Sequence, residues 1–237
     1  MTQASPRALL PGLDHAPGTV VLLAVSLAVF AEQELFGDAS RLHAWLVLDA
    51  RRVAAGEAWR LLTYAVLHGG AVHLLFNAWF LWSLGPTIER GLGTLRHLAV
   101  FLVAALTAGV AGCLWHGAEA GLVGGSGGLF GLLGALIAQQ ARAGRWVTEF
   151  VHWPQGRSIL NLLLANLMIA VVVPSISQAA HLGGLLGGFL VTFLVLLPGP
   201  ADNRGARRAL IAALTLLLVA LIAYCLHPFA HAWFRPR

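Results

Sequence analysis

Residues 95–115 read LRHLAVFLVAALTAGVAGCLW, and the reading of this stretch decides the fold. It has the roughly 20 predominantly apolar residues that an α-helix needs to cross a bilayer. Comparable stretches fall at about 18–36, 67–86, 126–141, 157–174, 178–197 and 208–226. The runs at 126–141, 157–174 and 178–197 are short or glycine-rich, so they depend on packing against neighbours. Across all 237 residues the chain is 58% hydrophobic and 11% charged, where a soluble domain carries about 25% charged residues. No soluble fold accommodates so many apolar runs. In lipid each backbone N–H and C=O must find its partner within the protein, which helices achieve within one segment. The expected class is therefore all-α, a polytopic transmembrane helical bundle.

The net charge of +5 comes from arginine alone, because the sequence contains no lysine. The arginines are scattered through short loops and form no stripe, so they read as orientation signals and no nucleic-acid partner is expected. With the N-terminus inside, Arg7, Arg90, Arg96, Arg142, Arg145, Arg157, Arg204, Arg207 and Arg208 share the inner side. Arg41, Arg51, Arg52 and Arg60 fall in one long outer loop, Arg235 and Arg237 at the outer C-terminal end, and the short outer loops 116–125 and 175–177 have none. That bias favours a cytoplasmic N-terminus. Residues 1–17 read as a short polar tail with no removable signal peptide. Cys113 and Cys225 lie in apolar segments without metal-ligand spacing, and no structural disulfide is expected.

The segment Leu35 to Tyr64 is too long for a simple connection and contains Trp45, Leu46, Val47, Leu48 and Trp59. A loop of this length generally has structure of its own. Its aromatic and aliphatic residues place it in the membrane interface.

Strongly polar residues within a membrane are costly and point to function. The second span opens His68-Gly-Gly-Ala-Val-His73-Leu-Leu-Phe-Asn77, which sets His73 and Asn77 on one helix face. The fourth opens Gly124-Gly125-Ser126-Gly127-Gly128, and the sixth Gln178-Ala179-Ala180-His181-Leu182-Gly183-Gly184. All three spans run from outside to inside, so these groups share one depth in the outer leaflet. Gly127 with Gly131, Gly183 with Gly187 and Gly184 with Gly188 have the spacing that lets helix backbones approach closely. Packing of the fourth span on the sixth would bring the Ser126 hydroxyl to the His181 imidazole, the pairing that an activated serine requires. No acid lies in the outer half of these spans. Glu119 is the nearest candidate for a third member, and a serine–histidine dyad is the better reading. The Ser126 N–H, at the start of its helix, would help hold an oxyanion, with His73 and Asn77 completing the hole.

Each feature has an ordinary alternative. A serine among glycines is commonly a packing residue, and an intramembrane histidine or a His/Asn pair commonly bonds a neighbouring helix. His68 reads as structural, bonding backbone in the first loop, while His97, His116, His152, His227 and His231 read as interfacial. A metal or haem held by His73 and His181 would leave Ser126 and Asn77 without a role. His-Glu-x-x-His is absent, and no span carries paired aspartates. A transporter site would lie at the midplane rather than toward one face.

The same residues resemble the rhomboid family of intramembrane serine proteases, over about Trp59 to Gly188. Trp59-Arg60 resembles the tryptophan–arginine signature of the rhomboid first loop, His68 the upstream histidine, and His73 through Asn77 the second-helix histidine and asparagine. Glu89 with Gly93 resembles the acid–glycine motif at the cytoplasmic end of that helix. Gly124-Gly125-Ser126-Gly127 fits the Gly-x-Ser-Gly nucleophile motif, and Ala180-His181-Leu182-Gly183-Gly184 with Gly187 fits the catalytic-histidine helix.

The resemblance implies a six-helix core at 18–197, followed by a linker, a seventh helix and a tail at 198–237. It implies Ser126 as nucleophile, His181 as base, and His73, Asn77 and the Ser126 amide as oxyanion donors. His68, Gly125, Gly127, Phe130 and Gln178 would support them. Phe130 would pack on the His181 ring, and residues 172–178, ending in Gln178, would cap the site. The implied activity is hydrolysis of peptide bonds in or near transmembrane segments, without metal or cofactor. The short loops and the absence of a targeting extension, read from the sequence itself, suit a bacterial inner membrane. The alternative is a catalytically silent rhomboid-like chaperone or binding protein.

Overall fold

A computed structural model describes residues 16–144, 152, 156, 157, 161, 165, 176–196 and 204–227. The run expected at 157–174 therefore lies almost wholly outside the described residues, as do residues 172–175 of the expected cap loop.

Helix α1, Pro17–Phe36, opens on a proline whose missing N–H is no loss in a first turn. The cap for the free amides beside it comes from far along the chain. The Glu89 carboxylate accepts from the Gly18 and Thr19 amides, both at 2.8 Å, from the Thr19 hydroxyl at 2.8 Å and from the Thr94 hydroxyl at 2.7 Å. Four donors compensate an acid that is only 2% exposed.

The long first loop has the internal structure its length predicts. It contains α2 (Arg41–Leu46), β1 (Leu48–Asp49), α3 (Ala50–Ala54) and α4 (Arg60–Thr63). Arg60 organises it from within, donating to the Ala44 carbonyl at 3.0 Å and the Val47 carbonyl at 2.7 Å while paired with Glu57. Trp59 stacks on Trp45 at 5.7 Å. β1 pairs antiparallel with β2 (Gly121–Leu122), tying this loop to the one that precedes Ser126.

Helix α5 spans Ala71–Leu92, later than the expected 67–86. Gly70, at a φ of 139°, separates it from the helical segment Arg60–Val66, which it meets at 92°. Only a residue without a side chain adopts that backbone readily. At the other end the helix runs through Pro86, where an ending was expected, because Gly85 and Glu89 pack against the start of α1. A Cβ on Gly85 would lie 2.7 Å from the Thr19 hydroxyl.

Helices α6 (Thr94–His116), α7 (Ser126–Arg142) and α8 (Gln178–Leu190) form the packed centre. α8 continues as a π-helical turn, Val191–Leu196, whose Phe193 carbonyl accepts from Arg142 at 2.6 Å. Helix α9, Arg204–Leu226, lies outside this centre. His97 departs from the interfacial reading: it lies in the first turn of α6 and is fully buried.

Among the described residues, four helical segments are long and apolar enough to cross a membrane, and the bent pair Arg60–Val66 with Ala71–Leu92 makes a possible fifth. The expected class holds: the chain is an all-α polytopic membrane bundle.

Candidate active site

The backbone of α8 has two glycine faces. Gly184 and Gly188 lie against the backbone of Gly127 and Gly131 on α7, while Gly183 and Gly187 lie against Ala111 and Thr107 on α6. A methyl group at any of these four would collide with its neighbour, so α8 can sit this deep only because the four are glycines. Ser126 immediately precedes Gly127, and His181 lies two positions before Gly183 and three before Gly184. Their separation follows: Ser126 Oγ and His181 Nε2 are 2.9 Å apart.

His181 is 6% exposed, and its Nδ1 has no hydrogen-bond partner among the described residues. Phe130, one turn beyond Ser126, lies parallel to the imidazole with ring centroids 4.3 Å apart and planes 10° apart. Phe80 of α5 in turn stacks on Phe130, with ring centroids 6.4 Å apart. The imidazole is thus held by ring packing rather than by an acid. Glu119 is turned away, in an exposed ion pair with Arg51.

The loop before Ser126 is tightly held. The Gly124 amide donates to the Tyr64 carbonyl at 3.0 Å, and the Tyr64 hydroxyl donates to the Ala105 carbonyl at 2.9 Å. Gly124 has a φ of 118°, and a Cβ there would lie 2.6 Å from the His73 ring. Glycine is required on both counts. Gly125, Gly127 and Gly128 are all buried around the start of α7.

His73 therefore presses its ring against the loop before Ser126. The Gly69 amide donates to its Nδ1 at 3.3 Å, so in the neutral ring the proton sits on Nε2, the nitrogen facing Gly124. Asn77 lies one turn on, 8% exposed, and gives one amide N–H to the His73 carbonyl at 2.9 Å. Its second N–H keeps its donor capacity. His68 is 3% exposed, edge-on to His73 with ring centroids 5.4 Å apart. Gln178 is the exposed first residue of α8, three positions before His181.

Three contributors were not singled out from the sequence. Gln33 of α1 holds the His68 backbone from both sides, accepting from its amide at 3.1 Å and donating to its carbonyl at 3.0 Å. Gln33 lies between Glu32 and Glu34 at the polar end of its run, where nothing in the sequence marks it out. Ser177 caps α8, accepting from the Ala180 amide at 3.2 Å, and is itself bonded by His116 Nε2 at 3.0 Å. Tyr64 had no distinguishing signal.

A family model described as the Rhomboid domain matches residues 55–198. Rhomboid protease GluP of Bacillus subtilis is 32% identical over 216 residues, covering 90% of this chain and 41% of that protein. The putative rhomboid protease YdcA of the same organism is 34% identical, covering 60% of this chain and 69% of its own length. Rhomboid protease GlpG of Pectobacterium atrosepticum is 32% identical over 75% of this chain and 62% of its own length. The fold and the comparisons together define a multi-pass helical membrane protein of protease-related type. The chain belongs to the rhomboid family. It spans about two fifths of the length of GluP and under two thirds of GlpG.

Proposed function

We propose that this chain is an intramembrane serine endopeptidase that hydrolyses peptide bonds in or near transmembrane segments through a Ser126–His181 dyad. The observation that carries the reading is the 2.9 Å approach of His181 Nε2 to Ser126 Oγ across the glycine-packed α7–α8 interface. His181 Nε2 takes the hydroxyl proton as Ser126 Oγ attacks the substrate carbonyl. The tetrahedral oxyanion accepts from the Ser126 amide, His73 Nε2–H and the Asn77 amide. His181 then returns the proton to the leaving amine, whose C–N bond breaks, leaving an acyl ester on Ser126. Water, deprotonated by His181, cleaves that ester and restores the hydroxyl.

His68 supports His73, Phe130 steadies the His181 ring, Gly125 and Gly127 leave room for the nucleophile loop, and Gln178 belongs to the cap over the site. No metal or cofactor has a place in the scheme. The substrate is a transmembrane protein whose helix unwinds at the cut. The six-helix core occupies 18–197 and the linker, seventh helix and tail 198–237. The membrane is a bacterial inner membrane with the N-terminus cytoplasmic, which puts Ser126 toward the outer face.

The deciding experiment is cleavage of single-span substrates with helix-destabilising residues by purified protein in liposomes. Wild type is expected to cut near the outer face, and Ser126→Ala and His181→Ala not at all, with unchanged thermal unfolding. Full cleavage by Ser126→Ala overturns the mechanism. A wild type that cuts none of several such substrates turns the reading to a non-catalytic rhomboid-like binding protein.

A further inference from the structure

The chain has two cysteines, one in α6 and the other in α9, separated by more than a hundred residues. Cys113 lies one turn before the end of α6, and Cys225 is the next-to-last residue of α9. Each is 1% exposed, each is a free thiol, and the two lie in one cluster, close enough to influence each other. They share an apolar cluster with Leu48, Val53, Leu61 and Val110.

A buried free cysteine is by itself an ordinary small hydrophobe. The setting of Cys225 is not ordinary. Among the described residues of α9 it is the only one that is buried, the others being exposed or half-buried. Leu218, Leu221, Ile222 and Leu226 pack on the same cluster, so this face of α9 rests on the core, and its one buried residue brings a thiol to the cluster that holds the only other thiol in the chain.

We propose that Cys113 and Cys225 are a disulfide site that staples α9 to the core. With the N-terminus inside, α6 and α9 both run outward, so the pair lies at the outer end of the bundle, on the oxidising side of a bacterial inner membrane. The oxidant is a disulfide of the thiol–disulfide exchange class. The Cys225 thiolate, near the end of the helix and the first to be uncovered by fraying, attacks a sulfur of that donor and expels one thiolate. The Cys113 thiolate then attacks Cys225 Sγ in the mixed disulfide and expels the second. In sum, two protein thiols lose two electrons and two protons, and the donor disulfide becomes two thiols. This reverses the sequence expectation, which saw two cysteines in separate apolar runs and no reason for them to meet. The inference rests on the proposed orientation and is independent of the peptidase reading.

Met168 is the only methionine after Met1, and it falls between the two cysteines. Cells are lysed into denaturant with N-ethylmaleimide to block free thiols, and the purified chain is cleaved at methionine with cyanogen bromide. The expected result is one linked species near the intact mass of 25.1 kDa without reductant and two fragments with it. Cys225→Ser is expected to give two fragments under both conditions. Wild-type fragments that separate without reductant, each cysteine carrying one maleimide, overturn the proposal. Linkage found only between two copies, seen as a doubled mass before cleavage, overturns it equally.

Discussion

At Ser126 and His181 the position of each side chain is set by contacts that carry no charge. Phe130 stacks on the imidazole, Gly124 lets His73 approach the loop before Ser126, and the Gly69 amide donates to His73 Nδ1. In the proposed mechanism Asn77 acts on the oxyanion, whereas Glu119 is engaged with Arg51 in an exposed pair of the kind worth about 0–1 kcal/mol. Asn77→Ala is therefore expected to lower kcat by about 100–1,000-fold, the range for loss of one oxyanion donor. Glu119→Ala is expected to leave kcat unchanged. A matched pair of turnover measurements checks this, and a large loss in the Glu119 variant would restore that acid as a third member of the site.

Between elements, the α7–α8 contact is the one on which the site depends. Gly184 follows His181 by three positions and lies against the backbone of Gly127, which adjoins Ser126. Backbone cannot rotate aside as a side chain can. Gly184→Ala is thus expected to cost about 1–3 kcal/mol in stability, as overpacking does. It should also lower cleavage at least tenfold by moving Ser126 from His181. Gly205→Ala is the control, since a Cβ there meets nothing within 4 Å. Thermal unfolding and turnover of the two variants check the pair; equal behaviour would show that the interface tolerates separation.

For the whole molecule, orientation decides which side of the membrane the site faces. Glu89 joins the start of α1, the end of α5 and the start of α6, so these three ends lie together whatever the membrane. We propose from the arginine distribution that this end is cytoplasmic. A periplasm-active reporter fused after residue 237 is expected to be active and a cytoplasm-active one inactive; the reverse would invert the bundle and place Ser126 toward the inner face.

Much of this was legible in the order of residues. Apolar runs as long as a bilayer is thick dictate spanning helices, because lipid offers the backbone no partner. Helix periodicity puts His73 with Asn77, and the parity of the spans puts Ser126 and His181 at one depth. The small-xxx-small pairs identify which faces can approach. Other features were decided only when the helices packed. Pro86 stays within α5 because Glu89 and Gly85 bind the start of α1, a contact across some seventy residues that no local pattern shows. His97 is buried, Glu119 turns to Arg51, and Gln33 secures the His68 backbone for the same reason. Local sequence determines which segments become helices and which faces are apolar or small. The partner of a given polar group depends on the side of a neighbouring helix that comes to rest against it, and only the assembled bundle sets that.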